Sequence, residues 1–134
     1  MSHRIELEGG GVFDVSADED TLLRGALRAG IGFPHDCSVG GCGNCRFDLV
    51  SGEMETLWAE APGLSERDRR RGKRLACQSR PLGDCVIRVR PAEENRPVVP
   101  PLRRAARLVA RTAITPEMSE FVFAAEGPAA FVAG

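Results

Sequence analysis

The chain has 134 residues, 43% apolar and 28% charged, enough for one compact domain and a remainder. Formal net charge is −1 and aromatic residues are scarce, with no tyrosine and a single tryptophan, Trp58, so neither base stacking on nucleic acid nor attraction to an anionic membrane has much to work with. No apolar run approaches the ~20 residues of a transmembrane helix and no cationic segment with an apolar core opens the chain, so a soluble cytoplasmic protein that binds neither membrane nor nucleic acid is expected.

Residues 3–8 alternate, Ile5 and Leu7 against Arg4, Glu6 and Glu8, and read as a half-buried strand. Gly9, Gly10 and Gly11 supply a turn, and Val12 to Val15 returns as a second strand. Ser16 and Glu19 match a capping box, which predicts a helix beginning there, with Leu22, Leu23, Ala26 and Leu27 on its buried face and Gly30 as its stop. Ile31 to Pro34 leads into a glycine-rich loop. A strand follows over Arg46 to Gly52, Pro62 to Ser65 breaks the chain, and Ser65 caps a short polar helix ending near Gly72. A last strand over Cys85 to Arg90 sets Cys85, Ile87 and Val89 on one face. Residues 1–60 carry 11 acids and 4 Lys/Arg, a net of −7, whereas residues 61–134 carry 8 acids and 14 Lys/Arg, a net of +6. Much of this asymmetry is the run Arg67, Arg69, Arg70, Arg71, Lys73 and Arg74, which reads as a solvated helix face.

The chemistry is concentrated in the loop PHDCSVGGCGNCRF, residues 34–47, where Cys37, Cys42 and Cys45 form a C-x4-C-x2-C array, with Cys77 farther along in LACQSR. Five cysteines are an odd number for a disulfide framework, and the spacing suits metal ligation in a reducing compartment. Thiolates so close in sequence face one centre only if the backbone coils tightly, which Gly40, Gly41 and Gly43 permit. Four thiolates suit zinc or an iron–sulfur cluster; the second short knuckle usual for zinc is missing, and C-x4-C-x2-C…C is the plant-type spacing for a [2Fe–2S] cluster. The metal ligands expected are Cys37, Cys42, Cys45 and Cys77, with amides around Gly40, Gly41, Gly43 and Asn44 donating to sulfur. A zinc-stabilised binding module with no redox role is the alternative. Cys85 reads as a buried apolar thiol and His35 as a surface residue, since a Rieske-type centre needs a histidine pair and the other histidine is the distant His3. Asp36, beside Cys37, lowers a cluster potential, and Arg46, beside Cys45, raises it.

CSVGGCGNC, followed by LACQSR, resembles a plant-type ferredoxin domain over residues 1–90. The resemblance implies an α+β fold of β-grasp type, with Cys37 and Cys42 on one iron and Cys45 and Cys77 on the other. Many members carry arginine or another large polar residue directly after the first cysteine, where this chain has Ser38.

From Pro91 the composition changes. Pro91, Pro97, Pro100 and Pro101 mark an extended linker over residues 91–102, and Ala105 to Thr115 and Ser119 to Ala125 read as two β-rich segments about a turn at Pro116. The tail RLVARTAITPEMSEFVFAAEGPAAFVAG resembles the opening of the flavin-binding β-barrel of reductases that carry a ferredoxin domain at their N-terminus. The resemblance implies that residues 103–134 are the first strands of an incomplete FAD barrel, and that the chain is part of the reductase component of a bacterial aromatic-ring dioxygenase or multicomponent monooxygenase. In such a reductase NAD(P)H reduces flavin, and single electrons pass to the [2Fe–2S] centre and on to a terminal oxygenase or hydroxylase. This stretch alone carries no catalytic acid, base or nucleophile.

Overall fold

The computed structural model describes residues 1–133, which fall into two compact units, Met1–Pro101 and a second from Leu102 onward. In the first unit β1 (Ser2–Leu7) and β2 (Val12–Ser16) form the antiparallel hairpin that their alternation predicts, Ile5 opposite Phe13. The helix starts later than the Ser16–Glu19 capping box predicts. α1 runs Leu22–Arg28, and its cap is Thr21, whose side chain accepts from the Arg24 amide. Ser16 is the last rung of the β1–β2 ladder, opposite Ser2, and its carbonyl closes a turn with the Glu19 amide, so the chain turns before any helix begins. Its hydroxyl bonds the Asp18 carboxylate instead, while Glu19 turns inward to pair with Arg28 at 2.9 Å. Gly30 does end the helix, at φ 78°, where the Gly30 amide donates to Leu27 O and the Ile31 amide to Ala26 O, satisfying two carbonyls of the last turn.

β3 (Arg46–Ser51), β5 (Lys73–Leu75) and β7 (Cys85–Arg88) complete a five-stranded sheet of order β2-β1-β7-β3-β5, with β7 parallel to β1 and antiparallel to β3. This mixed sheet with α1 laid across it is the arrangement of a β-grasp. Leu22, Leu23 and Ala26 of α1 bury against Ile5, Val15, Phe47 and Ile87, and Phe33 meets Phe47 edge to face at 6.2 Å. Each large apolar side chain so buried contributes about 1.5–3 kcal/mol before the cost of ordering. α2 (Glu66–Arg70) opens on a capping box in which the Ser65 side chain accepts from the Asp68 amide and the Asp68 carboxylate accepts from the Ser65 amide, and Gly72 follows its end at φ 75°. Three strands are not predicted by the sequence pattern, β5 and also β4 (Met54–Thr56) and β6 (Ser79–Pro81), which form a separate small ribbon; three residues each are too few to show a period.

The proline-rich segment is not free of the body. The Ala92 amide donates to Gly32 O at 2.9 Å, and a Cβ at Gly32 would collide with the Ala92 carbonyl, so the absence of a side chain there lets the strap lie flat. The second unit is a hairpin of β8 (Ala106–Thr115) and β9 (Met118–Ala125), turning at Pro116 and Glu117, with Leu108, Ile114, Phe121 and Phe123 exposed. Among the described residues, no helix is long and apolar enough to cross a membrane.

Candidate metal centre

Sheet register brings two of the four candidate thiols together. Cys45 directly precedes β3 and Cys77 sits in the 3-10 turn Ala76–Gln78 that follows β5; β3 and β5 pair with Arg46 opposite Leu75. The Ala76 amide donates to Cys45 O at 3.0 Å and the Cys77 amide to Cys45 Sγ at 3.5 Å. Both side chains are buried.

The other two are brought together by the coil of the loop. Cys37 Sγ accepts from the amides of Val39 at 3.4 Å and of Gly41 and Cys42 at 3.3 Å, and Cys42 Sγ accepts from the Asn44 amide at 3.3 Å. Three amides on one sulfur require a backbone that turns back on itself, and it does so through Ser38 at φ 58° and Gly40 at φ 88°. Ser38 is the one described non-glycine residue at positive φ, a conformation that costs about 1 kcal/mol or more.

The electrostatics of the two pairs differ. The amides of Val39, Cys42 and Gly41 pull the Cys37 thiol down to about 6. Burial, and then the neighbouring Cys45 thiol, push Cys77 up to about 12. A Cys77 thiolate is therefore unfavourable unless a cation lies beside it, whereas Cys37 is already prepared for negative charge. This donor set fits a thiolate-bound iron–sulfur centre, since the sulfurs stand as two neighbouring pairs, Cys37 with Cys42 and Cys45 with Cys77. Among the described residues, no three His, Cys, Asp or Glu side chains converge on one point as a single bound ion requires.

Of the glycines and the asparagine expected to donate to sulfur, Gly41 and Asn44 do so as just described, and the Gly40 amide is directed at Cys77. Gly43 serves as a spacer instead. At φ 79° it lies so close to the 59–65 segment that a Cβ would collide with the Gly63 carbonyl. The Gly63 amide in turn donates to Gly40 O at 2.8 Å, clamping the loop. The amides of Val39, Cys42 and Cys77, and the clamp at Gly63, have no marker in the sequence, because each depends on backbone direction or a long-range contact. His35 Nδ1 is 2.7 Å from Phe33 O and so donates to it, which turns that nitrogen away from any ligand role. Arg46 does not act as an isolated cation beside Cys45; it pairs with Asp68 at 3.1 Å. Cys85 is buried in the sheet, donating to the carbonyls of Glu53 and Gly83, and burial raises its thiol above the ordinary range.

A family model for the 2Fe–2S iron–sulfur cluster binding domain matches residues 5–82, a span that contains all four paired cysteines. The chain belongs to this family. The chain is 43% identical over 115 residues to the ferredoxin–NAD(P)(+) reductase CarAd of Metapseudomonas resinovorans, covering 85% of this chain and 35% of that protein. It is 42% identical over 131 residues to the ferredoxin–NAD(+) reductase component of the alkene monooxygenase system of Xanthobacter autotrophicus, covering 97% of this chain and 39% of that one. The solved structure of the ferredoxin reductase in carbazole 1,9a-dioxygenase superposes with a TM-score of 0.90 at 36% identity, over 98% of this chain and 40% of the other. The chain thus spans 35% to 40% of the length of these relatives.

Proposed function

We propose that the chain is the one-electron-carrying part of an oxygenase reductase, with Cys37 and Cys42 holding one iron of a [2Fe–2S] cluster and Cys45 and Cys77 the other. The observation that carries this reading is the pairing of the four thiols, with amides already directed at their sulfurs. Bound there, such a cluster supplies one-electron exchange at low potential, near about −400 mV for the plant type. The amides of Val39, Gly41, Cys42 and Asn44 stabilise negative charge on the outer sulfurs, and the clamp at Gly63 keeps the loop from opening. Cys42 is exposed and Cys77 buried, so electrons enter and leave on the Cys37–Cys42 side, where a partner can approach.

In this reading residues 103–134 are the opening strands of a flavin-binding barrel, 91–102 join them to the ferredoxin domain of residues 1–90, and the barrel's FAD, reduced by NAD(P)H, is the electron source. The acceptor is the terminal oxygenase or hydroxylase of a bacterial aromatic-ring or alkene-oxidising system, working in the cytoplasm, where thiols stay reduced. The names of the relatives and the superposition over nearly the whole chain support this, as does the β8–β9 hairpin.

The test is the visible and EPR spectrum of the purified chain before and after dithionite. A brown protein that bleaches and gains a spin-one-half signal is expected. A colourless protein with stoichiometric zinc, unchanged by anaerobic reconstitution with iron and sulfide, overturns the reading.

A further inference from the structure

Beside the cluster loop lies a groove of about 260 Å³, whose lining includes Trp58, Leu64, Arg69, Lys73, Arg74 and Gln78. Its lining contains three cations and no carboxylate. Lys73 is balanced by Asp48 at 3.1 Å. The other two are held by neutral acceptors: Arg69 donates to Ala59 O at 3.0 Å and Ala61 O at 2.8 Å, and Arg74 to Met54 O at 3.3 Å and Thr56 Oγ1 at 2.9 Å. Carbonyls and a hydroxyl fix these guanidinium groups in place without cancelling their charge. In the same lining Trp58, the sole tryptophan of the chain, leaves 45% of its surface exposed in a molecule otherwise poor in aromatics.

The groove touches the redox loop. A Cβ at Gly40 would meet Trp58 Cε3 at 3.1 Å and the Gln78 side chain at 3.2 Å, so both groove residues pack on the loop that carries Cys37 and Cys42. Gln78 directly follows Cys77, and its carbonyl accepts from the Leu57 amide at 2.8 Å.

We propose that this groove docks an acidic segment, with an apolar side chain at its centre, of the protein that exchanges electrons with the domain. The proposal rests on the electron-transfer reading and adds the chemistry of the partner's contact surface. Charge complementarity selects the acid: two immobilised guanidinium groups offer carboxylates paired, directional donors and attract them over a distance of about one Debye length. The indole selects the apolar centre, since an exposed tryptophan sharing a groove with two arginines is the composition of an interface anchor.

The probe is a fluorescein-labelled ten-residue peptide of glutamates around one leucine, titrated at low ionic strength against the cluster-loaded chain, with loading checked by visible spectrum in every variant. Arg69→Gln/Arg74→Gln and, separately, Trp58→Ala are expected to weaken binding by about tenfold or more. Arg69→Lys/Arg74→Lys, which restores the charge but not the paired donors, should recover only part of the loss made by the glutamines. Arg67→Gln/Arg71→Gln, which removes the same charge outside the groove, should change binding less than about twofold. Bound peptide should also slow ferricyanide oxidation of the reduced wild type.

Equal loss in the two glutamine pairs, or Trp58→Ala binding like wild type, shows only general charge attraction and overturns the proposal. So does binding that leaves the ferricyanide rate unchanged, because the groove is then off the electron route. A chain that takes up no reducible cluster fails the underlying reading instead, and does so before any peptide is added.

Discussion

Cys77 and Cys85 are equally buried thiols, 3% exposed each, yet their surroundings separate them. Cys77 faces a second thiol, whereas Cys85 spends its proton on the carbonyls of Glu53 and Gly83. Cys77→Ser should therefore abolish the visible absorption of the loaded chain. Cys85→Ser should keep the spectrum and cost about 1–2 kcal/mol in a denaturant melt, the ordinary penalty of altering a packed core site. A spectrum lost in Cys85→Ser and kept in Cys77→Ser would reverse the assignment. Gly43 gives a second residue-scale test. Alanine there meets both a positive φ and the Gly63 carbonyl, so Gly43→Ala should lower cluster content per protein, measured as iron and visible absorbance, even where the chain still folds. The cysteine spacing announced the loop, but nothing in the sequence told Gly43, a spacer for a neighbouring stretch of backbone, from Gly41, whose amide reaches sulfur.

At the scale of elements, α1 shows how a local signal can be real and still lose. Ser16 and Glu19 have the spacing of a capping box, but the β1–β2 ladder holds Ser16, and the cap falls to Thr21. Thr21→Ala should cost about 1 kcal/mol; Ser16→Ala should change stability by less than about 0.5 kcal/mol, as for a surface site. Gly25 faces Val15, whose methyls would lie 2.8 and 2.9 Å from an added Cβ. The gain in helix propensity from Gly25→Ala is about 1 kcal/mol and the overpacking cost about 1–3 kcal/mol, so a lower thermal midpoint is expected.

α2 carries the pH dependence. The Ser65 hydroxyl, with help from Arg46, holds the Asp68 carboxyl below its ordinary value. A carboxyl depressed in the folded state contributes stability that is present above its unfolded value, about 3.9, and is lost as pH falls through the folded one. The thermal midpoint of wild type should thus exceed that of Asp68→Asn at pH 7, and the gap should close below about pH 4. A gap that persists in acid would mean that shape, rather than charge, is what Asp68 supplies.

Over the whole molecule, the two units differ in how they meet solvent. The first encloses Phe33, Phe47, Ile5 and Ile87 almost completely, whereas the hairpin of the second leaves Leu108, Ile114, Phe121 and Phe123 exposed along two long strands. Exposed apolar edges pair with neighbours. A chain ending at Pro101 should keep the cluster spectrum and stay monomeric in size-exclusion chromatography, while the 134-residue chain should self-associate as concentration rises. Loss of the cluster on truncation would show instead that the second unit is needed to hold the first.

What the sequence determined by itself is what depends on short spacing: three cysteines within nine residues, the alternation of β1 and β7, the Ser65 cap and the Gly30 stop. Each works through backbone geometry over a few residues, and so leaves a local pattern. Tertiary structure alone decided what depends on register between distant strands. It set Cys77 against Cys45 through the β3–β5 pairing, laid Ala92 on Gly32, released Ser16 from its cap, and gathered Trp58, Arg69 and Arg74 into one groove. Such contacts join residues whose separation along the chain bears no fixed relation to their distance in space.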